Sequence, residues 1–131
     1  MTGPDQINIF DGHNDLAYQL WRRRDTEGSA FLDATVDSPH ITAGKAKTGG
    51  LAAGLFALFV PQQGEDLEAT AAVDEAYAFT TACQMADTLH RLASTHPDSF
   101  RLCTTAADLD KAIVEGVLAG LLHLEGAEPV G

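Results

Sequence analysis

The sequence has little of what marks a secreted, membrane-bound or nucleic-acid-binding protein. Its 131 residues include only two cysteines, Cys83 and Cys103. They form no Cys-x-x-Cys pair, which argues against a zinc-thiolate site and leaves two buried free thiols as the expectation, with a single disulfide as the alternative. Positive charge is scarce: 8 Lys and Arg face 19 Asp and Glu, for a net charge of -11. Such a surface repels phosphate backbones and anionic lipid, so neither nucleic acid nor a membrane surface is expected as a partner. Long apolar runs are missing too. Leu51 to Val60 is the longest, about half of the roughly 20 residues that a membrane span requires. The first six residues, Met1 to Gln6, carry no positive charge and lead into no apolar core of a signal peptide. A soluble, cytoplasmic protein is the expectation. Length is also short, since a complete (β/α)8 barrel typically takes about 250 residues.

What is present reads as one ordinary globular domain. Hydrophobic residues make up 45% and charged residues 21%, enough apolar material for one core. Ile7 to Phe10 is β-rich and runs into the polar stretch Asp11-Gly12-His13-Asn14-Asp15, which reads as a strand ending in a loop. Leu16 to Trp21 reads as a short helix capped by Asn14 or Asp15, with Arg22-Arg23-Arg24 as its solvated basic end. Residues 25 to 50 read as one long irregular stretch. Leu51 to Val60, stopped by Pro61, reads as a strand buried on both faces, as in a parallel sheet.

A long helix is expected from Asp66 to His96. Its apolar stripe is Val73, Ala76, Phe79, Ala82, Ala86, Leu89 and Ala93, and Pro97 terminates it. Phe100 to Cys103 reads as a short strand. Thr105 and Asp108 form a capping-box pattern for a helix that Gly116 ends. Val117 to Leu124 is a second apolar run, closed by Glu125-Gly126. Strands alternating with helices indicate an α/β fold with a parallel sheet.

Candidate chemistry lies where the apolar strands end. His13 and Asp15 are two apart, so they share a face if strand geometry persists through them. An imidazole and a carboxylate together offer the mixed N/O ligation that zinc accepts. On spacing alone, however, His-x-Asp describes a loop histidine beside a capping acid more often than a ligand pair. Glu125 terminates an apolar strand, where a carboxylate is costly to bury unless it is paired or metal-bound. An exposed turn acid before Gly126 is an equal reading.

Together these segments carry a resemblance. Asp11-Gly12-His13-Asn14-Asp15-Leu16 resembles the N-terminal signature of the membrane (renal) dipeptidase family of metal-dependent peptidases. Gly49-Gly50 through Pro61 is similar to that family's glycine-rich approach to its second strand. Phe100 to Asp108 and Leu122-His123-Leu124-Glu125-Gly126 are similar to the approach to its third. The resemblance implies the N-terminal part of a (β/α)8 TIM-like barrel, about the first three strand–helix units, of the amidohydrolase kind. It implies a zinc-dependent dipeptidase with two zinc ions in the complete enzyme. His13 and Asp15 would ligate one ion and Glu125 would bridge both. The partner implied is a small dipeptide, and a homodimer is compatible with the reading. Further histidine ligands and a late aspartate would come from strands beyond Gly131. Residues 1–131 are therefore expected to be a partial domain, truncated at the C-terminus and inactive alone.

Two departures stand out. His123 occupies a position where relatives usually carry a small residue. By alternation it shares the face of Glu125, and it reads as a packed or supporting histidine rather than a ligand. Ala17-Tyr18 replaces the proline and aromatic of many relatives. His40, His90 and His96 need no functional role. The alternatives are a non-catalytic fragment or binding protein, or another amidohydrolase-type hydrolase. The latter would normally carry His-x-His where this chain has His13-Asn14-Asp15.

Overall fold

A computed structural model of the chain describes residues 7–33, 35, 37–63 and 72–131. Among the described residues there are four strands and five helices, and the strands form one sheet: β1 (Ile9–Asn14), β2 (Leu51–Phe59), β3 (Phe100–Leu102) and β4 (Leu118–Glu125). All pairings are parallel, and the strand order is β1-β2-β4-β3. Five helices connect them: α1 (Leu16–Arg22), α2 (Ser29–Leu32), α3 (Ala43–Gly49), α4 (Glu75–Thr95) and α5 (Ala106–Glu115). Among the described residues, no helix is long and apolar enough to cross a membrane.

β2 is largely buried, as its uninterrupted apolar run requires. Its two faces serve different layers. Phe56 and Leu58 join Leu118, Phe100, α1, α3 and α4 in the main core. Ala53 and its register partner Ala119 pack instead with Cys103 and Ala112 of α5. Helices therefore pack on both faces of the sheet. The centre of the main core is aromatic. Phe100 meets Phe31 and Phe56 edge-on, with centroids 5.9 and 5.1 Å away, contacts worth about 0.5–1.5 kcal/mol each beyond area burial. Gly120 makes this possible, because a Cβ there would lie 2.5 Å from Phe100 Cζ.

Several local expectations hold. Thr105 and Asp108 form the complete capping box, and Gly116 closes α5 with φ 72°, a conformation that favours glycine. α4 ends at Thr95, just before Pro97.

Others need correction. β1 runs on through the polar motif to Asn14 rather than ending at Phe10. The stretch from 25 to 50 is not wholly irregular. The Asp25 carboxylate accepts from the N–H groups of Ser29 and Ala30 and starts α2. The Thr42 hydroxyl accepts from Lys45 N and caps α3. Neither signal has the acid three residues on that makes a cap conspicuous. α4 begins at Glu75, capped by Asp74. Of its expected earlier part, residues 66–71 lie outside the described residues.

The buried stripe of α4 is also displaced. It consists of Ala78, Thr81, Ala82, Met85, Thr88, Leu89 and Leu92, whereas Ala76 and Phe79 are exposed. Two threonines lie in the stripe, and a purely apolar pattern skips them. Thr88 satisfies its hydroxyl by donating to Gln84 O.

Candidate metal centre

The site lies at the C-terminal ends of β1 and β4, the end where parallel α/β folds place their chemistry. Between Asp11 and Asn14, β1 spends one more residue than β2, as Asp11 pairs with Gly54 and Asn14 with Phe56. This bulge interrupts the alternation on which the His13–Asp15 pairing was argued, and bulges re-aim side chains. The pair forms regardless, with His13 Nε2 lying 3.4 Å from Asp15 Oδ1.

Asn14 holds the bulge. It is 4% exposed, donates from Nδ2 to Leu55 O and accepts from Leu16 N. The turn into α1 is thus satisfied by Asn14. Asp15 occupies the cap position but makes no side-chain cap bond. Its carboxylate is therefore not committed to capping, the role that competed with ligation.

Glu125 comes from two strands away. Its register partner is Phe59 on β2, and its Oε2 lies 3.5 Å from His13 Nε2. Ligand atoms of His13, Asp15 and Glu125 all lie within 4.8 Å of one another. Charge-assisted hydrogen bonds run at about 2.7–2.9 Å, so the His13 contacts are too long for that. They do match another geometry. Zinc bonds of about 2.0–2.2 Å place neighbouring tetrahedral ligands roughly 3.3–3.6 Å apart. The donor set, one imidazole and two carboxylates, also suits a divalent cation. The residues present therefore fit the metal.

The three donors share a shallow cleft with Tyr18 and Phe59. These two rings meet nearly at right angles, with centroids 5.4 Å apart. Tyr18 stacks on Trp21 and carries the Arg22 guanidinium 5.7 Å from its ring centre. The basic triplet thus contributes a cation beside an aromatic wall. Tyr18 and Phe59 were not singled out from sequence. Phe59 looked like the end of an apolar run, and only its pairing with Glu125 gives it a place in the cleft.

His123 is half-buried, and its ring meets His13 edge-on at 5.7 Å. Among the described residues it does not join the three-donor group. His40 feels the carboxylates of Asp15 and Asp11, but partial burial of its ring outweighs them and holds it below the usual 6.5. His90 and His96 stand on or just after α4, and neither joins the donor group.

Comparison with known proteins places the chain in a family. Residues 4–131 match the membrane dipeptidase family, peptidase family M19. The chain is 28% identical over 130 residues to the dipeptidase ataJ of Aspergillus terreus, covering 95% of this chain and 30% of that protein. It superposes on the crystal structure of the M19 metallopeptidase dipeptidase AC with a TM-score of 0.82 and 30% identity, over 97% of this chain and 37% of that one. A metallopeptidase from Rhodobacter sphaeroides, bound to a phosphinate mimic of the dipeptide L-Ala-D-Ala, gives a TM-score of 0.81 and 27% identity. There the coverage is 97% of this chain and 40% of that one. The chain thus spans less than half the length of these relatives. It belongs to the membrane dipeptidase family, peptidase family M19, of which it carries an N-terminal portion of the TIM-barrel fold.

Proposed function

We propose that this chain supplies the first metal-binding half of a metallo-dipeptidase site, which hydrolyses the single amide bond of a dipeptide. The observation that carries the reading is the convergence of His13, Asp15 and Glu125 within 4.8 Å. Family membership supports metal dependence and a dipeptide substrate.

His13 Nε2 and Asp15 would hold one zinc ion. The Glu125 carboxylate, whose Oε2 faces His13, would help to hold the metal at the same site. Two ions are proposed for the complete site. When bound, such a centre polarises the scissile carbonyl and activates water.

The chain's own residues do the rest. The His13 ring would offer its Nε2 lone pair to the ion. Asp15 and Glu125 offset the cationic charge. Tyr18 and Phe59 line the cleft beside the donors and offer an apolar surface to a substrate. The chain spans only 30–40% of the length of its relatives, so residues 1–131 alone are proposed to be a poor catalyst. We further propose that they form part of a longer catalytic domain.

The test is dipeptide hydrolysis by that longer domain, with and without chelator. Zinc-dependent release of free amino acids, lost in His13→Ala and Glu125→Gln, is expected. Unchanged turnover in both variants would contradict the proposal.

A further inference from the structure

The His13 side chain is 44% open to solvent, as are those of Asp15 (48%) and Glu125 (41%). Its backbone N–H donates to Asp11 Oδ1, which anchors the main chain but not the ring. An imidazole on a surface strand has several rotamers, and only some aim Nε2 at Asp15 and Glu125. Ligating histidines are usually oriented by a hydrogen bond from the ring nitrogen away from the metal, and an aromatic contact on the ring can restrict it in the same sense.

His123 is the neighbour in place here. It stands on β4 two residues before Glu125, on the same face, opposite Ala57 of β2. Its ring meets the ring of His13 at 5.7 Å with an interplanar angle of 82°, the edge-to-face arrangement that aromatic pairs favour. His13 and His123 belong to strands separated by β2. Ala57, the β2 residue in register with His123, is small and fully buried.

We propose that His123 is a positioning residue for His13. Its ring fixes the His13 imidazole so that Nε2 faces Asp15 and Glu125, and it does not itself ligate. The inference rests on the metal reading above and extends it to a residue outside the donor group.

The test compares His123→Phe, which keeps an aromatic ring, with His123→Ala, which removes it. Circular dichroism first establishes that each variant folds. In the metal-free chain at pH about 8, where an ordinary histidine is neutral, NMR of the His13 ring protons reads the contact directly. Ring-current shifts present in the wild type should persist in His123→Phe and vanish in His123→Ala. Zinc affinity, measured by chelator competition, should fall roughly 10-fold or more in His123→Ala and stay within about threefold in His123→Phe. The cobalt-loaded chain should show the same absorption band shape in all three proteins, because no ligand has been lost. His13 signals that do not move in His123→Ala would overturn the proposal. So would a His123→Phe chain that binds zinc as weakly as His123→Ala. A wild-type chain that takes up no zinc at all refutes the metal reading instead, and the metal-free spectra still decide the role of His123.

Discussion

His13 Nε2 and Glu125 Oε2 lie 3.5 Å apart although their strands are not neighbours, because β2 runs between β1 and β4. Strands two places apart are separated by about 9.5 Å. Two side chains meet across that span only when both reach over β2 on one face of the sheet. This brings His13, Asp15 and Glu125, from the two ends of the chain, into one donor group.

Asn14 and Asp15 are adjacent but do different work, and substitution should separate them. Asn14→Ala leaves buried polar partners at Leu55 and Leu16 unsatisfied, at a cost of about 1–3 kcal/mol in urea unfolding. Asp15→Asn should change stability by less than about 0.5 kcal/mol, since the Asp15 side chain makes no cap bond. The same variant should weaken zinc binding more than about 100-fold, beyond the loss typical of a supporting residue.

Gly120→Ala tests the core. The added Cβ would press on Phe100, whose ring is itself wedged between Phe31 and Phe56. Chemical denaturation should show a loss of about 1–3 kcal/mol, the usual cost of overpacking. Val114→Ala, on the exposed face of α5, is the control and should stay within about 0.5 kcal/mol.

His40 reports on Asp15 from outside the donor group. Partial burial lowers its pKa, and the Asp15 charge opposes that shift. Replacing Asp15 with Asn removes the opposing charge. NMR titration should then place the His40 midpoint lower than in the wild type. A midpoint that rises would mean that the two groups are not arranged as described.

The capping box of α5 predicts a pH dependence. The Thr105 hydroxyl, and then the Thr104 N–H, hold the Asp108 carboxyl below its usual 3.8. A depressed folded pKa means that folding favours the ionised form. The contribution is present above the unfolded value and is lost as pH falls through the lower folded one. Wild type should therefore exceed Asp108→Ala in stability at neutral pH, and the difference should shrink as pH drops below about 3.8. Thermal unfolding between pH 2 and 7 measures it.

Much of this was legible in the sequence. The parallel α/β alternation, the capping box at Thr105 and the left-handed stop at Gly116 are local signals that tertiary packing left intact. The family motifs pointed to His13, Asp15 and Glu125, and the structure brings those three together. Other features depend on contacts distant in sequence. Insertion of β4 between β2 and β3 is invisible to periodicity. The stripe of α4 shifted to include two buried threonines, Thr81 and Thr88, and Thr88 satisfies its hydroxyl on the backbone of its own helix. The cleft position of Phe59 follows from its register with Glu125, which no local pattern encodes. The assignment of Asn14 to the turn, which leaves Asp15 uncommitted, needed the bond to Leu55 on the next strand.

The central claim is that His13, Asp15 and Glu125 form one divalent-metal site. Calorimetric titration of the chain with zinc, beside the triple variant His13→Ala, Asp15→Ala, Glu125→Ala, tests it most directly. The account predicts saturable uptake by the wild type, lost in a triple variant that keeps its circular dichroism spectrum. Equal zinc uptake by the two proteins would contradict it.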